Sequence, residues 1–187
     1  MQIRTTVVLA MLLAAIACKR GEQPAAAKTT TQSQRQQSQQ QPAARADVGA
    51  MMPAYAALNL DGSKFDLASK RDKVVLLNVW ATWCGPCVYE IPELQQLHEK
   101  YASRGMEVIG VSVDTVPAES VREFIAEQKK MTYPVVLDAD GKIADMLQTS
   151  VLPTSVIIDR AGKIVWKQYG AIMPGDEELT KAIDAAL

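Results

Sequence analysis

Neither sign of charge prevails in this chain: 20 Lys and Arg stand against 21 Asp and Glu, a formal net charge of −1. A near-neutral chain offers no electrostatic reason to expect nucleic acid as a partner. Cysteine is scarce as well. Three in 187 residues are too few for a disulfide scaffold, and an odd number leaves one unpaired or modified. A single histidine, His98, and no second cysteine pair exclude a structural zinc site, which needs about four ligands. Aromatics are sparse at 5% while aliphatics are plentiful, which suits an α/β core better than an all-β sandwich. The length fits one ordinary domain with residues to spare.

Those spare residues lie at the start. "MQIRTTVVLAMLLAAIAC" has a short positive stretch with Arg4, then an uncharged apolar run from Val7 to Ala17. The run is too short for a comfortable membrane span and reads as a secretory signal over residues 1–17. Its end, "LAAIAC", resembles a bacterial lipobox, although Ala15 stands where that pattern usually has Leu. The resemblance implies cleavage before Cys18 and lipidation of its thiol, which would keep Cys18 from mispairing. The alternative is an ordinary signal peptide cut nearby. From Lys19 to Gly49 the chain is rich in Gln, Ala, Ser and Thr and nearly empty of large apolar groups. Such a segment cannot offset the entropy of ordering, so residues 18–50 read as a lipidated cysteine followed by a flexible tether. The folded domain is expected over 51–187.

Within that domain, "YAALNLDGSKFDLAS" reads as a hairpin around Asp61-Gly62. Val74 to Trp80 is a continuous apolar run, as in a buried central strand. From Cys84 to about Ser103 the period becomes helical, with Ile91, Leu94, Leu97 and Tyr101 three or four apart. "GMEVIGVSVD" is another buried strand, "PAESVREFIAEQKK" an amphipathic helix, "YPVVLD" a short strand and "GKIADMLQT" a short helix. "TSVIIDRAGKIVWKQYG" gives two strands around a turn at Arg160–Gly162, and "GDEELTKAIDAAL" a closing helix. Long crossovers demand parallel pairing, whereas the late short turn demands an antiparallel hairpin. The expected fold is α/β: a mixed central sheet with helices on both faces.

"WATWCGPCVYEIP", Trp80 to Pro92, holds the other two cysteines. Cys84 follows a buried strand and precedes a helix, whose free first-turn amides and positive dipole end favour a thiolate there. Pro86 is tolerated in the first turn. Cys87 lies one turn on, within disulfide reach and expected to be less exposed. Cys84 is therefore read as the attacking thiol and Cys87 as the thiol that resolves a mixed disulfide. A purely structural disulfide here would close a tiny loop and remove little chain entropy. His98 reads as a solvated helix residue, Trp80 as packing, and Trp83 as a shield for the pair and an apolar platform for substrate.

"WCGPC" resembles the thioredoxin active site. Pro92 resembles the proline that kinks the active-site helix there, and "VLPTS" resembles the loop whose proline is cis, which maps to Pro153. The likeness covers roughly Met51 to Leu187 and implies a thioredoxin-like fold. It also implies that a substrate chain pairs in extended form with the backbone at Leu152, with Trp83, Gly85, Pro86 and Pro153 completing the contact surface. The closer resemblance is to the TlpA/ResA-like envelope group, carried by the leading hairpin, the extra stretch Pro117–Asp145 and the Cys-x-x-Glu-x-Pro of "CVYEIP". Where cytosolic thioredoxins have a buried Asp, this chain has Asn78. Glu90 is accordingly expected to take part of the proton-accepting role for Cys87; the alternative is a solvated helix acid.

The resemblance implies a protein-disulfide oxidoreductase of the bacterial cell envelope, lipid-anchored and facing the periplasm or extracytoplasmic space. The Gly-Pro between the cysteines is that of reducing thioredoxins, at about −270 mV against about −120 mV for the oxidant DsbA. Electrons would come from a membrane thiol donor and pass to disulfide-containing clients, apocytochrome c among them. No cofactor and no metal are expected, and the chain is expected to be a monomer. The alternatives are a disulfide-forming oxidant, a thiol peroxidase on the same fold and a lipoprotein using the fold as a binding module.

Overall fold

A short hairpin opens the domain. Strands β1 (Ala56–Asn59) and β2 (Lys64–Asp66) pair antiparallel around the Asp61-Gly62 turn. The Asp61 carboxylate accepts from the Ser63 N–H and hydroxyl at 2.9 and 2.6 Å, and Gly62 takes a φ of +83° that favours glycine. The computed structural model describes residues 46–128 and 131–187. The expected signal peptide, Cys18 and the tether up to residue 45 lie outside the described residues. Among the described residues, no helix is long and apolar enough to cross a membrane.

The apolar run becomes β3 (Val74–Trp80), with all seven residues buried. Helix α1 (Gly85–Tyr101) follows, then β4 (Met106–Ser112), helix α2 (Ala118–Gln128), β5 (Val135–Leu137) and helix α3 (Lys142–Met146). Strands β6 (Thr154–Ile158) and β7 (Ile164–Tyr169) form the late hairpin, and helix α4 (Glu177–Ala186) closes the chain. The sheet order is β2-β1-β5-β4-β3-β6-β7. The β3–β4 and β4–β5 pairs are parallel, while β3–β6, β6–β7, β1–β5 and β1–β2 are antiparallel. This is the mixed sheet expected from the crossover lengths.

Strand alternation divides the core. Val74, Leu76 and Trp80 face a cluster with Ile91, Leu94 and Leu97 of α1 and Leu179 and Ile183 of α4. Val75, Leu77 and Val79 face a second cluster with Ile143 of α3, Leu147 and Ile164. Helices thus cover both faces, and each fully buried aliphatic side chain contributes roughly 1.5–3 kcal/mol. Gly110 shows how tight the first cluster is: a Cβ there would lie 2.9 Å from Trp80 Nε1. Trp80 can therefore lie flat against β4 only because that residue has no side chain.

The domain begins earlier than expected. Ala46 is buried, and its N–H donates to the Met146 carbonyl at 3.0 Å. The Gly49 N–H donates to Ile164 O at 2.8 Å and the Ile164 N–H to Ala50 O at 2.9 Å. Residues 46–50, assigned to the tether by composition, therefore dock on the domain: Ala46 on the end of α3, Gly49 and Ala50 on the start of edge strand β7. Backbone N–H and C=O groups make these bonds, and an unpaired sheet edge accepts any chain that can supply them. Side-chain composition does not report on that capacity.

Candidate active site

The end of β3 and the start of α1 bring the cysteines to the C-terminal end of an interior strand of the sheet. Cys84 is the N-cap of α1, with extended backbone angles, and Pro86 occupies the first turn. Cys84 and Cys87 form a disulfide, with Cα atoms 5.2 Å apart. The Cys87 N–H donates to Cys84 Sγ at 3.3 Å, so the sulfur sits where a capping oxygen would and receives a free first-turn amide. Cys84 is 5% exposed and Cys87 1%. Cys87 is thus the less exposed of the two, the order of burial expected from the sequence. Gly85 and Pro86 beside the pair are exposed.

Trp83 is 71% exposed. It stands next to Cys84 in the chain, and its expected roles as shield and apolar platform would both be played from that exposed position. Trp80 is buried in that cluster, as expected. Tyr89 projects from α1 into solvent. Leu152 and Pro153 are joined by a cis peptide bond. Pro153 is buried and its carbonyl accepts from the Gly170 N–H at 2.8 Å, while Leu152 packs against the cluster holding both cysteines. Pro92 lies inside α1, where its missing N–H leaves the Val88 carbonyl without its helical donor.

Glu90 corrects the solvated alternative. It is 1% exposed. Its Oε1 accepts from the Asn78 side-chain amide at 2.7 Å, and its Oε2 accepts from the Ile172 N–H at 2.7 Å. The same Asn78 amide also donates to Ser155 Oγ at 3.0 Å. Burial pushes the Glu90 carboxyl up to about 7, against the pull of the Ile172 N–H and the Asn78 amide. Tyr133, also buried, has its hydroxyl pushed up by burial and by the nearby Glu90. Glu90 lies three residues beyond Cys87 on α1, on the same helix face.

His98 is not the solvated residue expected. Its Nδ1 is buried without a hydrogen-bond partner among the described residues, and its ring meets Tyr133 edge to face at 6.2 Å. Among the described residues no group of His, Cys, Asp or Glu is arranged to hold a metal ion.

Several site residues escaped sequence reasoning. Asn78 lacks the acceptor a buried Asp would supply, yet it is the donor that holds Glu90. A polar residue inside an otherwise apolar buried strand was the available signal, because such a group must find a partner. Ile172 and Ser155 carried no signal of their own. Asp114 closes the stretch "GVSVD". It is 3% exposed, and its carboxylate accepts from the Thr82 N–H at 3.0 Å, the Thr82 hydroxyl at 2.7 Å and the Ser112 hydroxyl at 2.7 Å. It thereby ties the loop before Cys84 to the end of β4.

The AhpC/TSA family matches residues 48–167. The thiol-disulfide oxidoreductase ResA of Bacillus cereus is 35% identical over 126 residues, covering 67% of this chain and 72% of that protein. Among solved structures, a thiol:disulfide interchange protein of the thioredoxin family from Chlorobium tepidum aligns with a TM-score of 0.63 at 27% identity, over 75% of this chain and 97% of that one. A DsbF homologue from Corynebacterium diphtheriae aligns with a TM-score of 0.64 at 26% identity, over 73% and 86%. These likenesses bear out the thioredoxin-like fold expected from the sequence.

Proposed function

The chain belongs to the AhpC/TSA family and, within it, to the ResA-like thiol-disulfide oxidoreductases, and from that premise we propose that it reduces protein disulfides in the cell envelope through Cys84 and Cys87. The observation that carries this reading is the placement of Cys84 Sγ at the α1 N-cap, more open than Cys87 and bonded to it.

In the dithiol form the helix N-terminus favours the Cys84 thiolate. That thiolate attacks one sulfur of a client disulfide, forming a mixed disulfide and releasing the other client sulfur as a thiolate. Cys87 then gives its proton to Glu90 and attacks Cys84 Sγ. The second client thiolate leaves, the Cys84–Cys87 disulfide forms, and the client has gained two electrons. Glu90 passes its proton to a departing thiolate. A carboxyl with a pKa near neutrality suits both halves of that transfer. The client segment lies extended along Leu152 and Pro153, with Trp83, Gly85 and Pro86 beneath it.

The proposed setting is extracytoplasmic. Residues 1–17 are removed as a signal, Cys18 carries lipid, and residues up to 45 act as a tether. A membrane thiol donor returns the disulfide to the dithiol, and the protein works as a monomer. Clients with paired cysteines awaiting haem, as in apocytochrome c, fit such a reductant. The Gly-Pro between the cysteines supports the reducing direction.

The deciding experiment is the reduction potential of the Cys84–Cys87 couple in dithiothreitol or glutathione buffers. A value below about −200 mV is expected; a value near about −120 mV would make the protein an oxidant of folding chains.

A further inference from the structure

The loop between β3 and α1 is held at three consecutive points. The Val113 N–H donates to the Trp80 carbonyl at 3.0 Å, and the Cys84 N–H donates to the Ala81 carbonyl at 3.1 Å. Between them, Asp114 takes both the N–H and the hydroxyl of Thr82. Thr82 stands two residues before Cys84 and beside the exposed Trp83. Every donor on the Asp114 carboxylate named above is neutral. No Lys or Arg forms an ion pair with it among the described residues.

A buried carboxylate without a cation carries its charge into a region of weak screening. An Asn would fill the same space but keep one acceptor oxygen, which can still serve Thr82, while its NH2 would face the groups now on Oδ2. The carboxylate's charge lies against Thr82, two residues before Cys84. A thiolate at Cys84 is disfavoured by a negative neighbour, and a couple whose thiolate is disfavoured is harder to reduce and is the stronger reductant.

We propose that Asp114 is a positioning residue of the redox couple, whose buried carboxylate orders the Ala81–Trp83 loop and whose charge biases Cys84–Cys87 toward the disulfide. The reaction affected is the transfer of two electrons from a dithiol donor to the disulfide. The donor becomes a disulfide, and its two protons go to Cys87 and, from the Cys84 thiolate form, to solvent. This rests on the reading of Cys84–Cys87 as a redox-active pair.

The test uses the full chain, equilibrated with reduced and oxidised dithiothreitol at fixed pH and then trapped by alkylation. Asp114→Asn is expected to shift the equilibrium toward the dithiol by at least about threefold, a tenfold shift being 29.6 mV for two electrons. Alkylation of the reduced variant should also reach its midpoint at lower pH than in the wild type. Thr82→Val keeps the charge and removes a donor from it, so its equilibrium is expected to move toward the disulfide. An unchanged Asp114→Asn equilibrium, or one displaced toward the disulfide, overturns the proposal. So does displacement of both variants in the same direction, which would mean loop disorder alone. If Asp114→Asn does not fold, Thr82→Val decides, and movement toward the dithiol refutes the charge effect. A wild-type disulfide that dithiothreitol cannot exchange would instead sink the redox reading itself.

Discussion

The Asn78 side-chain amide donates to Glu90 Oε1 at 2.7 Å, with both side chains buried. This bond joins the central strand to the active-site helix and leaves the other carboxylate oxygen for the Ile172 N–H. Glu90 thus reports on three elements at once, and its substitution should be legible in both stability and rate.

Glu90→Gln is expected to flatten the pH dependence of stability. The Glu90 carboxyl is raised from 4.5 to about 7 in the folded protein by burial. The folded state therefore holds a proton that the unfolded state has lost across that window. Stability contributed by this group is fully present below 4.5 and is lost as pH rises through about 7. At about 1.4 kcal/mol per unit, the loss amounts to a few kcal/mol. Urea midpoints from pH 4 to 8 measure it; a wild type and variant with parallel profiles would contradict the buried carboxyl.

The same variant should slow the resolving step. Client release from a mixed disulfide at Cys84 is expected to fall by about a hundredfold or more near neutral pH, the low end of what a positioned general base contributes. Single-turnover reduction of a fluorescent model disulfide resolves attack from release. Slowing of attack alone, with release unaffected, would remove Glu90 from the proton path.

Asn78→Asp puts a second carboxyl against Glu90. Two acids at hydrogen-bond distance share a proton, so the pair's upper apparent pKa should rise above the wild-type value of about 7. The protein should lose stability above neutral pH, by roughly 1–3 kcal/mol, through the unpaired second charge. Infrared titration of the carboxyl band follows the pair directly.

Cys87→Ser is expected to accumulate a mixed disulfide with a client peptide through Cys84, whereas Cys84→Ser should form none under the same conditions. Mass spectrometry of the trapped adducts checks this. Equal trapping by both variants would reverse the assignment made from their unequal exposure.

Gly110→Ala should destabilise the domain by roughly 1–3 kcal/mol, because the new methyl meets Trp80 Nε1 at 2.9 Å. Trp80 is buried beside the pair, so a shift in its fluorescence should accompany the lower thermal midpoint. An unchanged midpoint would show that the indole can move aside.

What could be read in the sequence followed from repetition along the chain. The run Val74 to Trp80 declared a strand buried on both faces, and the spacing of Ile91, Leu94 and Leu97 declared a helix packed on one. Crossover length set parallel or antiparallel pairing. The positions of Cys84 and Cys87 on a helix start follow from those local signals, so the pairing of the two cysteines and their order of burial were legible. These are short-range properties, encoded within one turn or one strand.

Only the tertiary structure decided what meets what across the sheet. Asn78 and Glu90 are distant from Ile172 in the chain, yet a single carboxylate joins them, because β3, α1 and the segment after β7 converge on one face. Asp114 meets Thr82 because β3 and β4 lie side by side in parallel register, Trp80 opposite Ser112. Residues 46–50 fold back because β7 is an edge that can still be paired. A buried polar group must find its partner wherever packing has placed one, and no local pattern states where that will be.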